Sequence, residues 1–310
     1  MNNNLANIKK CIFFLNKNDC VAIPTETVYG LAANAYSNIA VKKIYSLKKR
    51  PKKNPSIVHY SSLKQLKNDC VLNKNFYILY KKFCPGPITF VLKLKKESLI
   101  SKIVTNNKKT VAVRFPKNQL TQKLLKLLKY PLAAPSANIS TKISPVSKED
   151  VKEEFGNKIK FILDGGRSKI GLESTIISLV KKPKILRLGA MERKKINKIL
   201  NKNIKYDIKN KKINVPGQFK LHYSPGIPIK LNAKKSKPNE AFILIKKRKK
   251  SSINYYYLSK TKNLKQAAKN LYKILRLIKN KNYKSIVVEK IPKIGLGEAI
   301  NDRLKKASGK

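Results

Sequence analysis

The chain has 310 residues, of which 42% are hydrophobic, and a formal net charge of +55. That length and apolar content suffice for one large or two smaller globular domains with a buried core. Four cysteines without a C-x-x-C pair and only two histidines exclude the usual zinc sets and argue against a Cys-His or Ser-His-Asp nucleophile. No apolar run is long enough to span a membrane and no targeting motif is evident, so we expect a cytoplasmic protein with no membrane partner.

The positive charge has two interpretations that the sequence leaves open. Lysine and arginine release counterions from a phosphate backbone, which favours RNA binding. However, most of the charge is lysine spread over every segment among Asn and Ile, a composition typical of an AT-rich genome. Only eight residues are arginine. Where lysine is the usual cation, an arginine at a strand end indicates a need for its bidentate fork.

The N-terminal part of the chain alternates between predicted strands and helices. An amphipathic helix over 5–17 precedes a short buried strand, Val21 to Ile23, and polar residues follow over 25–27. Gly30 then allows the chain to turn into a helix over 37–49. In open α/β sheets ligands bind at such strand ends. A polar turn that caps its own backbone is the alternative interpretation of 25–27.

Apolar and β-branched runs predict the remaining elements of a first domain, residues 1–200. They predict helices over 75–83 and 119–129 and strands over 56–60, 88–94, 110–115, 159–164, 174–180 and 184–188. Several strands follow one another with no helix between them. We therefore expect an α/β fold with a twisted, mixed parallel and antiparallel sheet.

The pattern breaks at about residue 201. Residues 201–228 are rich in Asn and Lys, then in Pro and Gly, and contain Phe219, His222 and Tyr223. Aromatic and imidazole groups in such a segment predict an extended linker that docks over the cavity of the first domain. A linker that docks beside the second domain for stability only is the alternative. Residues 229–310 predict a smaller C-terminal α/β domain, with strands near 240–246, 253–258 and 285–289 and an amphipathic helix over 262–279.

The usual nucleotide-binding motifs are missing. There is no Walker-type G-x-x-x-x-G-K-[ST], and Gly295-Leu296-Gly297 lacks the third glycine of a dinucleotide fingerprint. A nucleotide would have to be held by scattered hydroxyls, amides and cations. Lys48 and Arg50, in a loop before Pro51, are candidates, although a solvated helix end is the alternative there. Arg114 lies at a predicted strand terminus, where its guanidinium suits a carboxylate.

A set of short motifs occurs in a fixed order along the chain: Pro24-Thr25-Glu26-Thr27-Val28-Tyr29-Gly30-Leu31, Lys48-x-Arg50-Pro51, Asn54-Pro55, Pro85-Gly86-Pro87-x-Thr89, Val113-Arg114, Pro135-Ser136-Ala137-Asn138, Glu173-Ser174-Thr175-Ile176, His222-Tyr223-x-Pro225 and Gly295 to Arg303. Together they resemble the threonylcarbamoyl-AMP synthase family, the YrdC-like proteins of tRNA modification, in its longer form with a C-terminal domain. One departure is Thr141, where many members of the family have glycine.

The resemblance implies a nucleotidyltransferase that joins L-threonine, bicarbonate and ATP into threonylcarbamoyl-AMP with release of pyrophosphate. It also implies Mg²⁺ bound with ATP, and a downstream tRNA threonylcarbamoyl transferase complex as the consumer of the product. Threonine and bicarbonate give a carbamate, which is itself a nucleophile, so no protein nucleophile is needed. Catalysis would then consist mainly of positioning and charge neutralisation.

The resemblance also implies a role for particular residues. The proposed clamps on the triphosphate are Lys48 and Arg50. Threonine would be held by Thr27, His59, Arg114, the backbone at Ala134, and Ser174. ATP would be held by Arg50, Asn54, Thr110, Ser136, Ser144, Arg187 and Tyr223. No protein side chain is assigned as a metal ligand.

Two other function classes compete with the synthase. A double-stranded-RNA- or tRNA-binding protein would use a basic face of the same fold, but such a protein needs lysines rather than Thr27, Asn54 or Ser136. A carbamoyl transferase of hydrogenase maturation contains a similar domain. We disfavour it because those proteins carry zinc-finger cysteine pairs that are absent from this sequence.

Overall fold

Two β-sheets organise the computed structural model, which describes residues 2–206 and 215–309. The first is a ten-stranded sheet in the order β10-β9-β5-β6-β3-β7-β2-β1-β8, with β4 paired to the end of β5. Its strands are β1 (Val21–Ile23), β2 (Gly30–Asn34), β3 (Ile57–His59), β4 (Cys70–Val71), β5 (Ile88–Leu94), β6 (Thr110–Arg114), β7 (Leu132–Ala133), β8 (Phe161–Ile162), β9 (Thr175–Ser178) and β10 (Lys184–Arg187).

The pairing of the first sheet is mixed, as the sequence predicts. Strands β1 and β8, β3 and β6, and β5 and β9 run parallel, while the other neighbouring strands run antiparallel. The parallel pair β3–β6 sets His59 directly opposite Arg114 at the end of the two strands. This register brings two predicted threonine-binding residues side by side.

Helices cover the first sheet, and most of them begin at a polar side chain that caps the first turn. Ser37, for example, accepts a hydrogen bond from the amide of Ala40, as an N-cap residue does, and Ser147 forms a capping box with Asp150. The helices are α1 (Asn2–Asn16), α2 (Asn38–Leu47), α3 (Leu63–Asp69), α4 (Lys74–Phe83), α5 (Lys102–Thr105), α6 (Gln119–Leu127), α7 (Lys148–Phe155) and α8 (Arg193–Leu200).

Gly30 does not turn the chain into a helix, so that prediction is wrong. It begins β2 and pairs with Ile23 in an antiparallel hairpin. A Cβ at this position would lie 3.3 Å from the Cβ of Ala134, so the glycine permits a close approach between β2 and the 134–136 loop. The run Leu31-Ala32-Ala33-Asn34 after Gly30 is short and rich in alanine, which carries too weak a pattern to identify β2 from the sequence.

The second sheet has four parallel strands in the order β11-β14-β12-β13. Its elements are β11 (Ile229–Leu231), β12 (Glu240–Leu244), β13 (Tyr255–Tyr257), α9 (Leu264–Lys279), β14 (Ser285–Val288) and α10 (Leu296–Ala307). The apolar pattern of the sequence predicts β12, β13, β14 and α9 to within a few residues but gives no signal for β11 and α10.

The two parts of the chain share one hydrophobic cluster. Val28 and Leu172 from the first part pack in the same buried group as Leu271 of α9 and Ile300 of α10. Beside this group, Arg276 of α9 donates to the carbonyl of Ile143 at 2.8 Å and pairs with the carboxylates of Glu153 and Glu154. Among the helices of the described residues, none has the length and apolarity of a membrane span.

A matched pair of isoleucines tests the C-terminal core. Ile243 on β12 is fully buried, whereas Ile253 is 93% exposed. We expect Ile243→Ala to lower the free energy of unfolding by about 2–5 kcal/mol, because it leaves a cavity. Ile253→Ala should change it by less than about 0.5 kcal/mol. Urea unfolding followed by circular dichroism measures both, and an equal effect of the two substitutions would contradict this placement of β12.

Candidate active site

A small cavity lies where strand ends of the first sheet meet the linker. Its free volume is about 40 Å³. The wall is formed by residues of the 25–30 and 134–136 loops, of strands β3, β6 and β10, and of the linker: Thr25, Val28, Tyr29, Gly30, Arg50, Ile57, His59, Arg114, Ala134, Pro135, Ser136, Glu173, Ser174, Arg187, Pro216, Gly217, His222 and Tyr223.

The turn after β1 caps its own backbone and also faces the cavity. The Thr25 hydroxyl accepts hydrogen bonds from the amides of Thr27 and Val28, at 3.1 and 3.2 Å, and donates to the Val28 carbonyl at 2.6 Å. The Thr27 hydroxyl lies 2.8 Å from that of Thr25 and is fully buried behind it. The turn therefore caps its own backbone, as one interpretation predicts, and it also lies at a cavity, where the other interpretation places it.

Arg114 and His59 present buried polar atoms to the cavity. Arg114 Nη2 donates to a carboxylate oxygen of Glu26 at 2.7 Å. Arg114 Nε and His59 Nδ1 are buried and have no hydrogen-bond partner. Burial, reinforced by the positive charge of Arg114, lowers the pKa of His59 to about 3. The imidazole is therefore neutral at physiological pH and the guanidinium keeps an edge free for a ligand.

Lys48 and Arg50 are buried cations, which makes the solvated helix end the wrong interpretation. Their exposures are 1% and 8%. Lys48 Nζ donates to the carbonyls of Ser136, at 2.6 Å, and Asn138. Arg50 donates to the carbonyls of Asn54 and Pro55, at 3.0 and 2.6 Å. Burial and then the charge of Arg50 lower the pKa of Lys48 well below its ordinary value. Neither cation pairs with a carboxylate of the described residues, so the pair favours an incoming anion.

Arg187 connects the end of the first sheet to the linker. Its guanidinium donates to the carbonyl of Ser174, at 2.8 and 3.1 Å, and to the Ser174 hydroxyl at 3.1 Å. Another of its nitrogens donates to the carbonyl of Pro216 at 3.3 Å. The Ser174 hydroxyl also lies 2.7 Å from that of Thr89. A single planar fork therefore fixes both a strand end and the linker.

Glu173, next to Ser174, is a buried carboxylate with donors from three elements. It accepts from the hydroxyls of Ser144 (2.6 Å) and Tyr272 (2.9 Å) and from Arg303 Nε (2.7 Å). Burial alone would raise its pKa, but Arg303 and then Arg187 hold the pKa at about 2. The group is therefore ionised at neutral pH and compensates part of the positive charge around the cavity.

The linker closes the cavity with backbone in the left-handed region. Tyr223 has φ 64° and a buried hydroxyl without a partner. Gly217 has φ 84°, and a Cβ there would lie 2.6 Å from the Tyr223 hydroxyl and 3.0 Å from Arg187 Cδ. Ligand pockets usually enclose roughly 300–1,000 Å³. At about 40 Å³ the cavity is too small, in this conformation, to enclose a nucleotide. Residues 207–214 of the predicted linker lie outside the described residues.

Comparisons with known proteins cover almost the whole chain. A family model described as telomere recombination matches residues 14–189, and one described as the C-terminal domain of threonylcarbamoyl-AMP synthase matches residues 191–309. The chain is 37% identical over 320 residues to the threonylcarbamoyl-AMP synthase of Pyrococcus abyssi, covering 96% of this chain and 92% of that protein. The chain belongs to the threonylcarbamoyl-AMP synthase family.

Other members of this synthase family agree in sequence and in fold. The threonylcarbamoyl-AMP synthase of Bacillus subtilis is 34% identical over 323 residues, which cover 97% of this chain and 93% of that protein. The crystal structure of P. abyssi Sua5 complexed with L-threonine superposes with a TM-score of 0.90 at 34% identity, covering 97% of this chain and 94% of that chain. The mixed α/β fold with a smaller C-terminal domain is therefore confirmed.

The structure brings most of the residues predicted for the synthase to one cavity. The predicted residues in its wall are Arg50, His59, Arg114, Ala134, Ser136, Ser174, Arg187 and Tyr223. Four others lie behind the wall, each bonded to a residue in it: Thr27 to Thr25, Lys48 to Ser136, Asn54 to Arg50 and Ser144 to Glu173.

Thr110 is the predicted ATP-binding residue that the structure does not bring to the cavity. It begins β6 opposite Lys93, at the other end of the strand from Arg114. On the register of β3 and β6 it comes level with Pro55, next to Asn54. Thr110 therefore lies towards the Asn54 side of the sheet, outside the closed cavity.

Sequence reasoning assigned no role to four residues that shape the site. Glu26 directly precedes Thr27 and Glu173 directly precedes Ser174, both of which are predicted threonine-binding residues. That position in the sequence is the signal that could have identified the two glutamates. Tyr272 and Arg303 reach Glu173 from α9 and α10. Nothing in the helical spacing of those two residues points to a cavity that far away in the sequence.

The two histidines give a direct test of the site's polarity. Burial lowers the pKa of His222 well below the ordinary 6.5 and that of His59 to about 3. We expect neither Hε1 resonance to titrate between pH 8 and 5 in the folded protein, with His59→Gln assigning the two signals by NMR. In urea both should titrate near 6.5.

The same pKa shifts fix the sign of the pH dependence. The unfolded chain binds these protons more readily, so each imidazole's contribution to stability is complete above pH 6.5 and is lost as the pH falls, for His59 down to about 3. The slope is at most about 1.4 kcal/mol per pH unit for each group. A folded-state titration near pH 6.5 would contradict the burial of these side chains.

Proposed function

We propose that this chain condenses L-threonine, bicarbonate and ATP into threonylcarbamoyl-AMP and pyrophosphate. One observation carries the proposal. Four buried polar atoms without partners belong to residues that line a single cavity, namely Arg114 Nε, His59 Nδ1, His222 Nδ1 and the Tyr223 hydroxyl. Buried polar atoms are nearly always hydrogen-bonded, so such a group in one place indicates a polar ligand.

Threonine fits the end of the cavity at β3 and β6. Arg114 Nε is free to bind a carboxylate while Glu26 holds the rest of the guanidinium in place. The neutral His59 can accept a hydrogen bond from the amine or hydroxyl of threonine. The Ala134 amide already donates to the Ile57 carbonyl at 2.8 Å, so the Ala134 carbonyl is the backbone group left for the substrate.

The cations on the other side of the cavity suit a triphosphate. Lys48, Arg50 and Arg187 supply positive charge without direct carboxylate pairing. No group of three or more His, Cys, Asp or Glu side chains in residues 2–206 and 215–309 is arranged to hold a metal. We therefore assign Mg²⁺ to the phosphate oxygens of ATP and to water, where it would offset part of the triphosphate charge.

The proposed reaction needs no nucleophile from the protein. The amine of threonine and bicarbonate give a carbamate with loss of water. A carbamate oxygen then attacks the α-phosphorus of ATP, and the new oxygen–phosphorus bond forms as the bond to the leaving pyrophosphate breaks. This assigns the chain to the nucleotidyltransferases. Holding the two reactants in line is worth on the order of 7–11 kcal/mol. Closure by the linker would exclude water from the hydrolysable product.

We place this reaction in the cytoplasm, with a tRNA threonylcarbamoyl transferase complex consuming the product. RNA binding as the main function is not favoured. A protein that reads RNA shape uses exposed cations, and it has no need of desolvated polar atoms around a cavity of about 40 Å³.

Omission of substrates tests the proposed reaction. We expect pyrophosphate release from ATP only when threonine, bicarbonate and Mg²⁺ are all present, together with threonylcarbamoyl-AMP detected by mass spectrometry. The control replaces L-threonine with L-valine, which lacks the hydroxyl. Pyrophosphate release that does not depend on threonine would refute the proposal.

Arg50→Lys tests the phosphate clamp while keeping the charge. Lysine cannot hold both the Asn54 and Pro55 carbonyls in a planar fork, so we expect kcat to fall by about 100-fold. Because one charge and most of the packing remain, Tm should fall by only a few degrees. Lys53→Gln, at an exposed neighbouring position, is the control and should leave both quantities unchanged. A loss of Tm with full activity would show that Arg50 serves only the fold.

A further inference from the structure

Arg303 belongs to the C-terminal motif to which the proposed reaction gives no role. It lies on α10, is only 1% exposed, and reaches back into the catalytic part of the chain. Its Nε donates to Glu173 at 2.7 Å and its Nη2 donates to the carbonyl of Leu188 at 2.8 Å. Its third nitrogen donates to the neighbouring Asp302 at 2.5 Å. All three nitrogens of the guanidinium are therefore fixed.

The same guanidinium lies over the ring of Tyr223. Its central carbon is 4.8 Å from the ring centroid. On α9, Tyr272 stacks on Tyr223 with centroids 5.9 Å apart and an interplanar angle of 21°. The preceding residue, His222, donates its amide to the carbonyl of Lys306 at 3.1 Å. The C-terminal helices thus hold the aromatic end of the linker by a cation–π contact, a stack and a backbone hydrogen bond.

Tyr223 needs such contacts to stay where it is. Its φ of 64° is in a region that bulky residues avoid, and its buried hydroxyl has no partner. A residue in that conformation persists only when its surroundings enforce it. Within the described residues, the ring contacts that do so come from α9 and α10 and from His222.

Arg303 also links this ring to the substrate side of the cavity. The Glu173 carboxylate that it binds accepts from Ser144, a predicted ATP-binding residue. Glu173 precedes Ser174, whose carbonyl receives the guanidinium of Arg187. The position of the linker at Tyr223 and the position of the strand end at Ser174 therefore both depend on the buried side chain of Arg303.

We propose that Arg303 is a positioning residue through which the C-terminal domain holds the linker closed over the cavity. Substrate entry requires Tyr223 to leave the wall, and return of the ring to the Arg303 guanidinium restores closure. The inference deepens the proposed function, since closure would protect threonylcarbamoyl-AMP. The control of the linker by Arg303 does not depend on a bound ligand, so it can be tested whether or not the proposed reaction takes place.

Arg276 provides a matched control. It is the same residue type, similarly buried, and it also joins the C-terminal domain to the first part through carboxylates and a backbone carbonyl. It touches neither Tyr223 nor Glu173 in any described contact. A purely structural role for inter-domain arginines would make Arg303 and Arg276 variants behave alike.

Hydrogen–deuterium exchange of the full chain without ligand measures linker closure directly. We compare Arg303→Lys and Arg303→Gln with Arg276→Lys and Arg276→Gln. Arg303→Lys keeps the charge near Glu173 but loses the planar contact with Tyr223 and the bond to Leu188, so it is the variant expected to fold best. We expect exchange of peptides covering 215–226 to quicken by about 10-fold in both Arg303 variants and in neither Arg276 variant.

Steady-state kinetics supply the second measurement. Arg303→Lys should raise KM for ATP by about 10-fold with a smaller change in kcat, because the closed state is less populated. Arg276→Lys should lower Tm by a similar amount to Arg303→Lys but leave KM for ATP unchanged. Equal linker exchange in the two sets of variants, or unchanged exchange in Arg303→Lys, would overturn the inference. Absence of threonylcarbamoyl-AMP from the wild-type reaction would instead refute the proposed function and leave the exchange result valid.

Discussion

The buried carboxylate of Glu173 is the charge on which the arrangement of the whole molecule depends. A carboxylate removed from water is stable only when its oxygens accept enough hydrogen bonds and a positive charge lies close. Its hydroxyl donors, Ser144 and Tyr272, come from the two parts of the chain, and its cation, Arg303, comes from the last described helix. The requirement to satisfy this group fixes how the C-terminal sheet docks on the first one. Because Ser174 follows Glu173 directly in the chain, the contacts that fix Glu173 also fix the place of Ser174 in the cavity wall.

On the opposite side of the cavity the buried charges are positive, and no carboxylate of residues 2–206 and 215–309 pairs with them. Lys48 and Arg50 are desolvated and donate to neutral carbonyl oxygens, and neither has a carboxylate partner among the described residues. Those carbonyls hold the cations in place but neutralise little of their charge. In the proposed reaction the triphosphate of ATP would compensate that charge, so substrate binding and charge compensation would be the same event.

Local patterns in the sequence predict much of this structure. Alternating and β-branched runs identify most of the strands, and caps such as Ser37 identify helix starts, because those signals depend on nearest neighbours. The ordered motifs predict most of the cavity wall. The hairpin at Gly30, the burial of Lys48 and the reach of Arg303 could not be read in this way, because each depends on contacts between distant segments.

Thr141 shows how a departure from a family pattern is explained by structure. It stands where many members of the family have glycine, and its φ of 72° lies in the left-handed region where glycine is preferred. The fold retains that backbone conformation with a β-branched residue, held by a hydrogen bond from the Ser224 amide to the Thr141 carbonyl at 2.9 Å. The linker therefore also stabilises a strained turn in the first part of the chain.

The distance in sequence between Glu173 and Arg303 has a consequence for the order of events on the ribosome. At 5–20 residues per second, α10 emerges roughly 10 s after β9. Until then the carboxylate of Glu173 has no guanidinium partner, and the shared apolar cluster lacks the side chains of α9 and α10. The region of the first sheet around Glu173 therefore remains without these contacts until α9 and α10 dock on it. Assembly of the cavity therefore waits for the synthesis of α10, even though most of its wall is synthesised early.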